Sequence, residues 1–233
     1  MASMQFDQHI SQEFNDELEQ VKTRMLEMGG SVLQQLQDSV RALEHADSSL
    51  ADKVLEEEAE IDKMEMEIDE ACTLLIARRQ PAASDLRMVM AVSKAVCDLE
   101  RIGDEAHRVA KMAINLSEEG TAPRGYVEIR HIANSVCAML NKSLDAFARY
   151  DVDAALDTLA EDRQVDMDYK SALRELVTYM MEDPRSITRV MNIMWTLRAL
   201  ERAGDHSKNI CEQVVYLVKG KDIRHGNLDE AQA

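Results

Sequence analysis

A chain of 233 residues with 44 Asp plus Glu against 27 Lys plus Arg carries a formal net charge of −17. A surface this acidic repels phosphodiester backbones and anionic lipid, so nucleic acid and direct membrane insertion are excluded as expected partnerships; cations and basic patches on other proteins fit better. With 3 Pro, 8 Gly and 4% aromatic residues, the composition suits long helices and leaves little for sheet.

The segment from Met1 to Gln20 is polar and acidic, not basic and then apolar, so no signal peptide is expected. The apolar run Val214-Val215-Tyr216-Leu217-Val218 falls far short of a membrane helix. A cytoplasmic protein is the expectation. Phe14, Leu18, Val21, Met25, Met28, Val32, Leu36, Val40 and Leu43 step by three and four, which predicts one long helix with a buried stripe. Gly29-Gly30 weakens its middle and predicts a kink there. Ala46-Asp47-Ser48-Ser49 reads as a turn with a Ser or Asp cap. A second helix follows, with Val54, Ile61, Met64, Ile68, Ala71 and Leu75 on one side, until Pro81 stops it.

The third helix is the most regular. Met88, Val92, Ala95, Leu99, Ile102, Ala106, Val109, Ala113 and Leu116 form a seam of the kind that holds bundles of long helices together. The stretch from Ser117 to Gly125 then gathers Gly, Pro and charge, the natural boundary between two halves spanning residues 1–119 and 120–233. Beyond it the plan repeats. Ile129, Ile132, Val136, Leu140, Leu144 and Phe147 mark a fourth helix, and Leu156, Leu159, Val165, Tyr169, Ala172 and Leu176 mark a fifth. Asp183-Pro184 breaks the fifth, and a sixth runs from about Ser186 to Gly220. The polar tail from Lys221 to Ala233 is expected to be loose. The expected fold is all-α: two tandem, similar antiparallel three-helix bundles.

Duplication is written most plainly in Leu99-Glu100-Arg101-Ile102-Gly103-Asp104 and Leu200-Glu201-Arg202-Ala203-Gly204-Asp205, which share five of six residues. Glu100 and Asp104 are one helical turn apart on the same side, as are Glu201 and Asp205. The preceding helix of each half holds a similar pair, Glu58 with Asp62 and Asp162 with Asp166. Most such pairs are solvated surface, but like charges four apart oppose a helix by ~0.2–0.5 kcal/mol, so their recurrence in both halves needs a reason. With the apolar seam at heptad positions a and d, Glu100 falls at b and Asp104 at f, on the outer face, lining a shallow acidic groove shared with the neighbouring helix. Four carboxylates within ~5 Å would repel by about 1 kcal/mol per pair even in water, and a multivalent cation removes that cost. Oxygen-only ligation suits magnesium, manganese or iron, with zinc possible. Gly103 and Gly204 would let either a neighbouring helix or a cation cluster come close. The four cysteines, Cys72, Cys97, Cys137 and Cys211, form no C-x-x-C and read as reduced core thiols.

The run from Arg78 through Pro81 and Asp85 to Arg87, the motif from Asp98 to Asp104, and Leu200 to His206 with Asn209-Ile210 resemble the PhoU family over about Phe14 to Gly220. The resemblance implies a multinuclear metal cluster on each bundle, of iron or zinc foremost, with magnesium or manganese as further candidates. Its acid-x-x-x-Asp motif falls on Glu58/Asp62, Glu100/Asp104, Asp162/Asp166 and Glu201/Asp205, with Asn209 completing the second set. Arg108 stands at the equivalent position of the first half, and Ala203 where the family usually has Ile. The resemblance further implies a cytoplasmic homodimer, and since the sequence shows no nucleophile–base pair and no phosphate-binding glycine loop, no catalytic activity is expected. Such a protein restrains the phosphate-starvation response, acting between the ATPase subunit of the phosphate ABC transporter and the sensor histidine kinase. The rival expectation is a ferritin-like di-iron carboxylate oxidase, which needs an inward Glu-x-x-His on each of two helices. Only Glu128 with His131 fits that spacing. His107 is expected at the surface, and His206, about 100° around the helix from Asp205, is a poor co-ligand for the same ion.

Overall fold

The computed structural model describes residues 12–118 and 126–223, in six long helices and one short 3-10 turn. The helices are α1 (Gln12–His45), α2 (Ser48–Arg79), α3 (Ala83–Glu118), α4 (Tyr126–Arg149), α5 (Val152–Glu182) and α6 (Ile187–Lys219), with the turn at Pro184–Ser186 before the last. Their ends follow from single residues. Asp47 and Asp151 occupy the same place in the two halves, and each accepts a 3.0 Å hydrogen bond from the backbone N–H three residues on, Leu50 and Ala154. Each satisfies a donor that the first turn of a helix leaves open. At the far end of α2, Gln80 takes a left-handed conformation (φ 49°) and donates its N–H to the Ile76 carbonyl, so that Pro81 falls outside the helix. Gly220 (φ 68°) ends α6 in the same way on the Tyr216 carbonyl.

Helices α1 to α3 pack on one another, as do α4 to α6, giving the two bundles that the repeat implied. The boundary placed at 119/120 and most of the polar tail lie outside the described residues. All nine seam residues of α3 are buried, as are their counterparts on α6 from Ile193 to Leu217, Leu200 and Ala203 among them, whereas the position of Met88 belongs to the half-buried Arg189. The two halves join through α3 against α6 and α1 against α4. The α3–α6 pair runs antiparallel: Arg87 near the start of α3 reaches the Leu217 carbonyl near the end of α6, and Glu105 further along meets Arg202. Helices α2 and α5 pack on the flanks, α2 against α1 and α3, α5 against α4 and α6.

The two adjacent glycines of α1 differ in what they face. The helix α1 runs without a break through both residues. A Cβ on Gly29 would lie only 2.4 Å from Leu144 Cδ2, so this glycine lets α1 and α4 close on each other, whereas one on Gly30 would meet nothing within 4 Å. Gly103 and Gly204 also serve helix packing. Their faces look onto Gln35 and Ile61, and onto Val136 and Val165, at 3.3–3.8 Å. All four cysteines are free, and burial holds the Cys72 and Cys211 thiols up at about 12 and Cys137 at about 11.

Candidate functional site

The acid pairs lie in two grooves, one between α2 and α3 and its repeat between α5 and α6. In the first, Glu58 and Asp62 come from α2, and Glu100 and Asp104 from α3. Glu100 and Asp104 sit outside the apolar seam, but the seam does not put them on open surface. Because α3 is covered by α1, α2 and α6 together, its b and f positions are a half-buried flank facing α2. The Glu100 carboxyl is pushed above its ordinary range, by burial first and then by the charges of Asp104, Glu65 and Asp62, with Arg101 opposing. Acids of both helices therefore share one field. Glu58 swings to the end of the groove, where its Oε2 lies 2.7 Å from His107 Nδ1. His107, expected at the surface, is instead largely covered, because the α2–α3 contact closes over it.

The groove extends further than the family motif indicates. Glu65 and Asp69 continue the α2 row after Glu58 and Asp62, in steps of four, three and four. Among the described residues, Glu65, Asp69 and Cys97 are the one group of three acid, thiol or imidazole ligand atoms that lie within 4.8 Å of one another. Ser93 Oγ donates to Asp69 Oδ1 at 2.8 Å, and Cys97 donates to Glu65. Burial and then Asp69 raise the Glu65 carboxyl; burial, Asp69 and Glu65 raise the Cys97 thiol. This extension was present in the sequence as the 58–62–65–69 step pattern. The grouping of cysteines as core residues hid it, since Cys97 is half-buried at the groove wall and not in the core.

In the second groove, burial and then Asp205 raise the Glu201 carboxyl, with Asp166 and Asp162 adding to it. Burial and Asp162 do the same for Asp205. Here the chain supplies its own cations. Lys208 Nζ donates to the buried Asp162 at 2.9 Å, Arg198 to Glu201 at 2.7 Å and Lys170 to Asp166 at 3.1 Å. In this groove three of the four motif carboxylates thus turn to a cation of the chain itself. Asn209 donates its amide to Asp98 Oδ1 at 2.9 Å, and His206 Nδ1 lies 2.9 Å from the same oxygen. Asn209 and the buried His206 thus tie α6 to α3 across the two halves. Beside them the buried Glu105 is bound by Arg108 at 2.6 Å and Arg202 at 3.2 Å.

The donor set fits hard divalent cations: carboxylate oxygens from two helices, raised by burial and then by one another's charge, with a softer thiol at one end of the first groove. It does not fit a di-iron oxidase. Glu128 and His131 line an outer cleft between α4 and α5, where His131 is exposed and meets Asp168 at 3.1 Å, so neither points into the bundle.

The chain matches the PhoU domain over residues 25–113 and 129–214. It is 60% identical, over 93% of its length and 90% of the relative's, to a phosphate-specific transport system accessory protein PhoU homolog of Pseudomonas aeruginosa. The accessory protein PhoU of Escherichia coli is 44% identical over 99% of this chain and 95% of its own length. The crystal structure of PhoU from Pseudomonas aeruginosa superposes with a TM-score of 0.88 at 59% identity, covering 90% of this chain and all of that one. Two matched segments, one per bundle, and relatives alike from end to end establish that this chain belongs to the PhoU family.

Proposed function

We propose that this chain is a non-catalytic accessory protein of phosphate transport, a cation-binding adaptor that restrains uptake and phosphate-starvation signalling. The observation that supports the reading best is the recurrence of the half-buried acid groove in both bundles of a protein whose relatives are named as transport accessory proteins. Glu58, Asp62, Glu100 and Asp104 would hold metal on the first bundle, and Asp162, Asp166, Glu201 and Asp205 on the second, with Asn209 beside the latter. Iron, zinc, manganese and magnesium all suit these donors. The ion would supply the positive charge that lets four carboxylates stay ionised side by side, and with it a fixed surface for partners. Those partners are the ATPase subunit of the phosphate ABC transporter and the sensor histidine kinase, met in the cytoplasm by a homodimer.

The test joins metal content to partner capture. The chain carrying Glu100→Gln with Asp104→Asn keeps its helical circular dichroism and loses the first bundle's metal by elemental analysis. Unchanged metal content in that variant overturns the assignment. Co-purification of the wild type with the transporter ATPase or the kinase from phosphate-replete cells supports the adaptor role, and its failure with both partners, alongside steady oxidase turnover, would reverse it.

A further inference from the structure

The two grooves are repeats of one design, yet their counter-ions differ. Counted from the duplicated motif, His107 on α3 and Lys208 on α6 are the same position, as are Cys97 and Arg198. In the second groove Lys208, itself little more than a third exposed, bonds the buried Asp162 at 2.9 Å. Arg198 and Lys170 salt two further acids of that groove. In the first groove the position of Lys208 belongs to an imidazole, that of Arg198 to a thiol, and Arg108 turns its short bond to Glu105, standing 4.0 Å from Asp104.

Building on the cation-binding reading above, we propose that Lys208 is a built-in competitor for the metal: the second groove carries its own closely bonded cation and binds divalent ions weakly, while the first groove, where the nearest guanidinium, Arg108, stands 4.0 Å from Asp104, binds them tightly. An ammonium bonded to Asp162 already satisfies part of the charge that a divalent ion would satisfy. Metal entry must displace it or tolerate its repulsion. A single unit charge at contact distance in a half-buried site changes cation affinity by about tenfold or more. The chain thus holds one standing metal site and one that fills only when divalent cation is abundant.

The experiment titrates the EDTA-stripped full chain with Mn²⁺ and reads free ion by electron paramagnetic resonance. The wild type shows two classes of site separated by about tenfold or more. Glu100→Gln with Asp104→Asn removes the tight class, and Glu201→Gln with Asp205→Asn removes the weak one. Lys208→Met tightens the weak class by about tenfold and leaves the tight class in place, while Lys208→Arg keeps the wild-type pattern. Independently of that variant's folding, His107→Lys writes the same competitor into the first groove and loosens the tight class. A Lys208→Met weak class that does not move, or a tight class that maps to Glu201 and Asp205, overturns the proposal. Two classes of equal affinity, each lost with its own acids, overturn it while leaving the cation-binding reading intact. Absence of Mn²⁺ binding by the wild type, or binding indifferent to every acid substitution, overturns both.

Discussion

At the scale of single residues, the adjacent glycines of α1 separate two effects that composition merges. Gly29 faces Leu144 with no room for a methyl group, and Gly30 faces open space. Gly30→Ala gains helix propensity alone and should raise stability by about 0.5–1 kcal/mol. Gly29→Ala gains the same but forces Leu144 aside, and overpacking of this kind costs about 1–3 kcal/mol. The pair should therefore shift the urea midpoint in opposite directions. Equal shifts would mean that α1 and α4 are not in the close contact described. The same scale explains why Cys97 differs from its fellow thiols. A residue that reads as core by type becomes a groove wall because it falls at the edge of the seam, one turn from Glu100.

At the scale of elements, the α3–α6 contact is where two half-proteins become one molecule. Its apolar seam is what the heptad steps require, but its polar part is specific. Asp98 receives Asn209 and His206 from the opposite helix, and Glu105 receives Arg202. Asp98→Ala leaves two covered polar side chains without their acceptor, which costs about 1–3 kcal/mol in global stability. Thermal unfolding of Asp98→Ala beside Asp98→Asn, which keeps an acceptor oxygen, measures this. Equal loss in both would point to the charge as the decisive feature. Since His206 follows Asp205 and Asp98 lies two residues before Glu100, this clasp also sits between the two acid grooves.

At the scale of the molecule, the grooves set how stability responds to pH. Glu65, Glu100, Glu201 and Asp205 all hold their protons above the ordinary carboxyl range of 4.5 for Glu and 3.8 for Asp, burial being the first cause in each. The folded chain then binds more protons than the unfolded one just above that range, so this contribution to stability falls as pH rises. Glu17 and Asp183 are shifted the other way, through Arg79 and Arg185, but both pairs lie at the surface, where solvent screens their effect. The metal-free chain should accordingly melt at lower temperature as pH is raised through the range just above the ordinary carboxyl values, and saturating Mn²⁺ should flatten the dependence. A melting temperature that climbs over the same range without metal would contradict the half-buried repulsion on which the grooves rest.

The sequence alone determined the all-α class, the six helices, the duplication and the position of each acid pair, because helical period and capping chemistry act over a few residues and are written in adjacent letters. Asp47, Asp151, Pro81 and Gly220 fix their helix ends without reference to the rest of the chain. Which partner each acid would meet was decided only by tertiary structure. Covering α3 with three helices turned an apparent outer face into a half-buried flank; the α2–α3 contact brought His107 to Glu58 and Cys97 to Glu65; and the α3–α6 crossing drew Asn209 toward Asp98. Charges interact through space, with strength set by burial and distance, and neither quantity belongs to any one helix until the others are packed around it.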